Sequence, residues 1–263
     1  MKKIITLLIL AVGVTGCQTA GTPKLHANIS SSPIYHEIRY PQGSGELQFG
    51  VRALAVGEQV PAVIALHTSG GFGSVEHLIQ RYVDDGFAVY APDFFSRHGL
   101  TSRTRMETFS TYRENIEKEL SEIVNLMKND SKIEKKNIFA VGFSNGGFWV
   151  AYLTGSSQVN AGVSHYGVWK ANFGRQITNP YPMKYFSKSS SPILALHGEE
   201  DGTQRMEFVE EAWNLVKELG GRLETHVYSD ADHAWDSTRW NYNEEVDKDS
   251  HKRTIGFFKK HMK

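Results

Sequence analysis

From residue 47 onward, continuous apolar runs alternate with apolar stripes at helical spacing. Leu47 to Val56 reads as an early strand. Val60 to Leu66 (VPAVIAL) is apolar throughout, as expected for a strand buried on both faces. Ser74 stands at an N-cap position before Val75, Leu78, Ile79, Tyr82 and Val83, and Gly86 ends that helix. Phe87 to Ala91 is the next strand. Thr104 to Lys128 reads as one long amphipathic helix, with Met106, Phe109, Tyr112, Ile116, Leu120, Ile123 and Met127 on its stripe. Strand Asn137 to Phe143 and helix Gly146 to Leu153 follow, then strands Ala161 to Tyr166 and Pro192 to His197. Helix Arg205 to Leu219 ends at Gly220-Gly221. Strand Leu223 to Tyr228 and a last helix from about Glu245 to His261 complete the chain. This alternation predicts an α/β fold with a mainly parallel central sheet of about eight strands and helices on both faces.

Composition narrows the function classes. The chain has 263 residues, 40% of them hydrophobic and 22% charged, which suits a globular α/β domain. A formal net charge of zero gives no electrostatic case for nucleic acid as a partner. Lys252, Arg253, Lys259 and Lys260 read as the solvated face of the last helix.

The N-terminus follows another logic. Lys2-Lys3 precede an apolar stretch, Ile4 to Val14, that is too short to span a bilayer. Val14-Thr15-Gly16-Cys17 then resembles the lipobox of bacterial lipoproteins. Cys17 is the only cysteine, so no internal disulfide competes for it. The resemblance implies a signal peptide over 1–16, lipidation at Cys17, a polar tether over 17–32 and a folded domain over 33–263. Gln18 after the cysteine implies anchorage at the periplasmic face of an outer membrane. An ordinary secretory signal peptide is the alternative.

In parallel sheets chemistry gathers at the carboxyl ends of the strands. Gly142-Phe143-Ser144-Asn145-Gly146 lies between a predicted strand and a predicted helix and matches the nucleophile elbow. Ser144 is therefore the candidate nucleophile. A serine hydroxyl needs a base, and the base needs an orienting acid. The chain order Ser, acid, His selects Asp201 and His233, both just past strand ends. Glu199 and Glu200 compete with Asp201. His67, His165 and His197 come too early in the chain and read as loop-bonded histidines. Asp230 and Asp232 beside His233 read as solvated loop acids, because nothing else at ligand spacing makes a metal site. The oxyanion would be held by the backbone N–H of Asn145 and a second N–H within Thr68-Ser69-Gly70, with Ser69 favoured over Thr68. No cofactor or metal is called for.

The motifs LHTSGG, FAVYAPDFFSRHG, VGFSNGG, LHGEED and YSDADHAW, in this order, resemble the dienelactone hydrolase family of α/β-hydrolases over roughly Val60 to Arg239. The resemblance implies the α/β-hydrolase fold and hydrolysis of an ester or lactone of a small molecule. Two departures stand out. The founding members carry cysteine where Ser144 stands. They also hold a substrate carboxylate with two arginines; Arg97 matches the first, but Ser237 lies near the second position and Arg239 just beyond. Arg97 thus has two readings, an anion-binding residue or a structural ion pair. Trp235, two residues past His233, is a candidate wall of the substrate pocket, with a place in the core as its other reading. The expected function is a serine hydrolase acting on a carboxylic ester. A thioesterase or peptidase on the same triad, and a non-catalytic envelope lipoprotein on this scaffold, are the alternatives.

Overall fold

The computed structural model of the protein describes residues 35–41, 47–53, 59–171, 179–237 and 241–263. The lipobox, Cys17, the tether and Arg239 lie outside these residues. The strands are β1 (Tyr35–Pro41), β2 (Leu47–Ala53), β3 (Val60–Leu66), β4 (Ala88–Pro92), β5 (Ile133–Phe143), β6 (Ala161–His165), β7 (Ile193–Gly198) and β8 (Leu223–Tyr228). They form one sheet in the order β1-β2-β4-β3-β5-β6-β7-β8. The six strands from β4 to β8 across the sheet are mutually parallel, and the β1–β2 pair is added antiparallel at the β4 edge.

The alternation along β3 explains its unbroken apolar run. Ala62, Ile64 and Leu66 join one buried cluster, with Ile116, Leu120, Phe148, Trp149 and Trp213. Val63 and Ala65 join the other, with Leu78, Ile79, Tyr82, Ile255 and Phe258. Helices α2 (Arg113–Asn129), α3 (Asn145–Gly155) and α4 (Met206–Glu218) cover the first face. Helices α1 (Glu76–Asp84) and α5 (Glu244–Lys260) cover the second. After β4 the chain crosses back over β3 to enter β5, so strand order reverses around β3. The carboxyl ends of β3 and β5 flank this switch point, where ligands bind in open α/β sheets.

Three elements differ from the sequence expectation. Tyr35–Pro41, read as no element from the sequence, is strand β1. The stripe from Thr104 to Lys128 is not one helix. Arg105–Phe109 is a separate 3₁₀ turn, and α2 starts only at Arg113. Thr108 Oγ1 donates to the Arg105 carbonyl, and Ser110 leaves helical geometry at φ −131°, ψ −88°. Hydroxyl side chains compete in this way with the helical ladder. Ser74, in turn, does not cap α1. Its Oγ accepts from Thr68 N–H at 3.0 Å and donates to the Gly71 carbonyl at 2.7 Å, so it closes the loop after β3 instead.

His165, at the end of β6, illustrates how deeply this sheet buries polar groups. Thr254 Oγ1 already donates to the Ser250 carbonyl, so His165 Nε2–H is the donor in its 2.8 Å contact with Thr254. Burial, and behind it the charges of His251 and Arg81, depresses the ring to a pKa of about 3 from the usual 6.5. Between those values only the unfolded chain takes up the proton, so stability falls as pH falls through this window. The contribution lost between pH 7 and pH 4 is roughly 3 kcal/mol. Thermal unfolding should therefore show a larger drop in midpoint from pH 7 to pH 4 in the wild type than in His165→Asn.

Candidate active site

Ser144 alone links β5 to α3, at φ 52° and ψ −110°. This left-handed geometry projects the side chain out of the turn, and it is tolerable only where surrounding structure enforces it. The two flanking glycines supply the room. A Cβ on Gly142 would lie 2.2 Å from the Gly146 carbonyl oxygen, and one on Gly146 would lie 2.1 Å from the Leu66 carbonyl oxygen. The helix thus packs directly on the end of β3. The turn is pinned by Ser144 N–H to the His165 carbonyl at 3.0 Å and by Val168 N–H to the Ser144 carbonyl at 3.0 Å.

The loops after β7 and β8 bring Asp201 and His233 to this turn. His233 Nε2 lies 2.9 Å from Ser144 Oγ, and His233 Nδ1 lies 2.7 Å from Asp201 Oδ2. Asp201 Oδ1 accepts two backbone N–H bonds, from Thr203 and Gln204, each at 2.8 Å. Burial alone would raise the Asp201 pKa. The hydrogen bond from His233, the charges of His233 and His197, and the Gln204 amide outweigh it and hold the carboxyl below its ordinary range. An ionised Asp201 makes Nδ1 the protonated nitrogen of His233, which leaves Nε2 free to accept the Ser144 proton.

The competitors fall away for structural reasons. Glu199 and Glu200 are exposed at the loop tip. Asp232 Oδ1 accepts from the N–H groups of Gly202 and His233 and so ties the two loops together. His67 is fully buried, stacked 3.8 Å from Phe94, with Nδ1 donating to the Thr68 carbonyl. His197 Nε2 donates to the Gln204 carbonyl at 2.7 Å and supports the Asp201 loop.

Within the loop after β3, Thr68 N–H goes to Ser74 Oγ, Gly70 N–H to Thr68 Oγ1 and Gly71 N–H to the Thr68 carbonyl. Ser69 N–H has no hydrogen-bond partner among the described residues. Of the two alternatives, Ser69 is thus the available donor. Asn145 N–H opens α3, where the first amides have no intrahelical partner. Ser69, Ser144 and His233 all line one cavity of about 970 Å³.

Two expected substrate contacts are corrected. Arg97 Nη1 pairs with Glu119 Oε1 of α2 at 2.7 Å, and His98 Nε2 lies 2.9 Å from the same oxygen. Glu119 is 2% exposed, and a buried carboxylate needs such a cation. Arg97 lines neither this cavity nor its neighbour near Phe72 and Phe95, so the structural ion pair is the reading that holds. Trp235 is fully buried beneath the site, ringed by His165, Tyr166 and Tyr228, with Nε1 donating to Ser250 Oγ at 3.1 Å. It is core, because its indole N–H finds its partner on α5 and not in the cavity.

The sequence reading also missed residues that line the cavity: His77, Arg105, Tyr166 and Asp236. Tyr166 packs edge-on 4.9 Å from the His233 ring and donates to Asp236 Oδ1 at 2.5 Å. Burial raises the Asp236 pKa to about 7 despite that bond. His77 and Arg105 sit on α1 and the 3₁₀ turn, whose spacing speaks only of their buried faces. The Asp236 position, three residues after His233, was the one legible hint.

Comparison with known proteins agrees with this architecture. No curated protein sequence matches the chain. Among solved structures, a candidate dienelactone hydrolase from Klebsiella pneumoniae superposes with a TM-score of 0.71 at 21% identity, covering 86% of this chain and 98% of that one. A dienelactone hydrolase-like promiscuous phosphotriesterase from metagenomic libraries gives 0.73 at 14% identity, covering 87% and 98%. An esterase from Pyrococcus furiosus gives 0.67 at 18% identity, covering 87% and 92%. These likenesses establish the α/β-hydrolase fold. The family model for dienelactone hydrolases matches residues 50–262, well over half of the chain. On that match the chain belongs to the dienelactone hydrolase family.

Proposed function

We propose that the protein is a serine hydrolase that cleaves a carboxylic ester or lactone through an acyl-enzyme. The observation that carries this reading is the unbroken hydrogen-bonded line Ser144–His233–Asp201 at a strained elbow, opening into a cavity. Ser144 Oγ attacks the carbonyl carbon while His233 Nε2 takes its proton. Asp201 stabilises the imidazolium that forms and does not itself take the proton. The N–H groups of Asn145 and Ser69 receive the oxyanion. His233 then protonates the leaving alkoxide, and water, deprotonated by the same ring, releases the acid and frees Ser144.

The substrate departs from that of the family's founders. Arg97 is held by buried Glu119, and Ser237 stands near the position of the second carboxylate-binding arginine. Among the described residues Arg105 is the one arginine on the cavity wall, beside the acid Asp236, so no arginine pair is in place to receive the carboxylate of a dienelactone. We therefore favour an ester whose acyl part carries no carboxylate. A panel of p-nitrophenyl esters and lactones of graded chain length, with fluorophosphonate labelling of the folded protein, tests the reading. Absence of both turnover and label in folded wild-type protein would sink it.

For the cellular setting, the reading is a lipoprotein anchored through Cys17 at the periplasmic face of an outer membrane. Cys17→Ser should lose palmitate incorporation and partition to the soluble fraction. Its activity in vitro should stay within about twofold of wild type, since Ser144, Asp201 and His233 all lie more than a hundred residues beyond Cys17. Unchanged palmitate label in the variant would refute the lipobox.

A further inference from the structure

The two amides proposed to hold the oxyanion belong to different elements. Ser69 lies in the loop after β3, and Asn145 opens α3. The carboxamide of Asn145 joins them. Its Nδ2 lies 3.4 Å from Ser69 Oγ and 3.1 Å from Thr108 Oγ1, and its Oδ1 accepts from Trp149 Nε1 at 3.2 Å. An indole N–H can only donate, so Trp149 decides which end of the amide faces it. The NH₂ end is thereby turned toward Ser69 and Thr108. Thr108 directs its own hydroxyl proton to the Arg105 carbonyl at 2.6 Å, which leaves its oxygen as an acceptor for Asn145. From Trp149 through Asn145 and Thr108 to Arg105, every donor and acceptor has one consistent direction.

Asn145, Thr108 and Trp149 are each at most 0% exposed. In such surroundings a satisfied polar chain is rigid and a broken one is costly. An apolar side chain at 145 would fill the same space without needing partners. What the amide adds is a link from the first turn of α3 to the Ser69 loop and to the 3₁₀ turn that carries Arg105.

We propose that the Asn145 carboxamide is a positioning group: by tying the Ser69 loop to α3, it fixes the distance between the two backbone donors of the oxyanion hole. The proposal rests on the serine hydrolase reading above. Misplacing one donor by about 1 Å is enough to slow turnover by up to about 10²-fold.

The test compares Asn145→Ala, Thr108→Val, Ser69→Ala and the double variant Ser69→Ala/Asn145→Ala on p-nitrophenyl acetate, with active sites titrated by a fluorophosphonate. Asn145→Ala should lower kcat by about 10- to 100-fold while KM changes by less than about threefold. Thr108→Val, nearly isosteric, should lower kcat in the same direction by less. Ser69→Ala keeps its amide but loses Oγ; it should lower kcat alone and add nothing to Asn145→Ala, because both break the same link. A purely structural role would lower Tm and soluble yield but leave kcat per titrated site unchanged. That result, or additive losses in the double variant, overturns the proposal. If Asn145→Ala does not fold, Thr108→Val and Ser69→Ala decide it, and kcat within about twofold of wild type in both overturns it. Ser144→Ala separates the two levels of argument. If it turns over ester like wild type, both readings fall. If it is inactive while Asn145→Ala keeps full kcat, only the positioning role falls.

Discussion

Ser144→Ala is expected to lower kcat on p-nitrophenyl esters by about 10⁴- to 10⁶-fold, the range seen when a triad nucleophile is removed. The hydroxyl sits 2.9 Å from His233 Nε2, in a turn whose backbone is held by His165 and Val168 and not by the side chain. Removing one oxygen therefore leaves the fold intact, and Tm should stay within a few degrees of wild type. The cavity, the Ser69 amide and the Asn145 amide all remain, so the variant should still bind ester. It should show a small residual rate from the donors alone. Fluorophosphonate labelling gives the sharper reading. Wild type should label, the variant should not, and the label should map to the peptide that contains Ser144. Equal labelling of the two proteins would move the nucleophile elsewhere.

Gly146→Ala should have the largest effect on the fold. Its new Cβ would sit 2.1 Å from the Leu66 carbonyl oxygen and 2.9 Å from that of His67, both backbone atoms that no rotamer change can move aside. α3 must lift off the end of β3. Overpacking of this kind costs about 1–3 kcal/mol or more, which for a domain of this size is roughly 2–12 °C in Tm. The displaced backbone is also the one that leads into Ser69, so the two amide donors move apart and kcat should fall by about 10²-fold. Gly256→Ala is the control. A Cβ there meets nothing within 4 Å, on the exposed side of α5. Alanine in mid-helix is favoured over glycine by about 0.5–1 kcal/mol, so Tm should hold or rise with activity unchanged. Equal melting of the two variants would show that the contact between α3 and β3 is not as tight as the elbow requires.

Much of the scaffold was legible because its signals are local. Strands β3 and β4, and most of β7, announced themselves as apolar runs, since burial on both faces leaves little place for polar residues there. The elbow was legible because strand, small residue, serine, small residue and helix must be consecutive. Asp201 and His233 followed from chain order. The break at Arg105–Phe109 was hidden, because the apolar spacing runs through it unbroken while the hydroxyls of Thr108 and Ser110 act only in three dimensions. Ser74 was misread as a cap for the same reason. An N-cap serine and a serine that closes a loop onto Thr68 look alike until the loop is folded.

By itself, the sequence determined the α/β class, the elbow at Ser144 and the order of the residues that meet there, because hydrophobic period and backbone sterics act between near neighbours in the chain. Only the tertiary structure decided between Arg97 as an anion site and as the partner of Glu119 and between Trp235 as pocket wall and as core, and it leaves the Ser69 N–H, which the sequence already favoured over that of Thr68, without a partner among the described residues. In each case the deciding partner lies far along the chain or in a loop that the sequence alone leaves open. Electrostatic pairing, indole burial and amide satisfaction are properties of neighbours in space, and which neighbours those are is set by how the sheet stacks its loops at one edge.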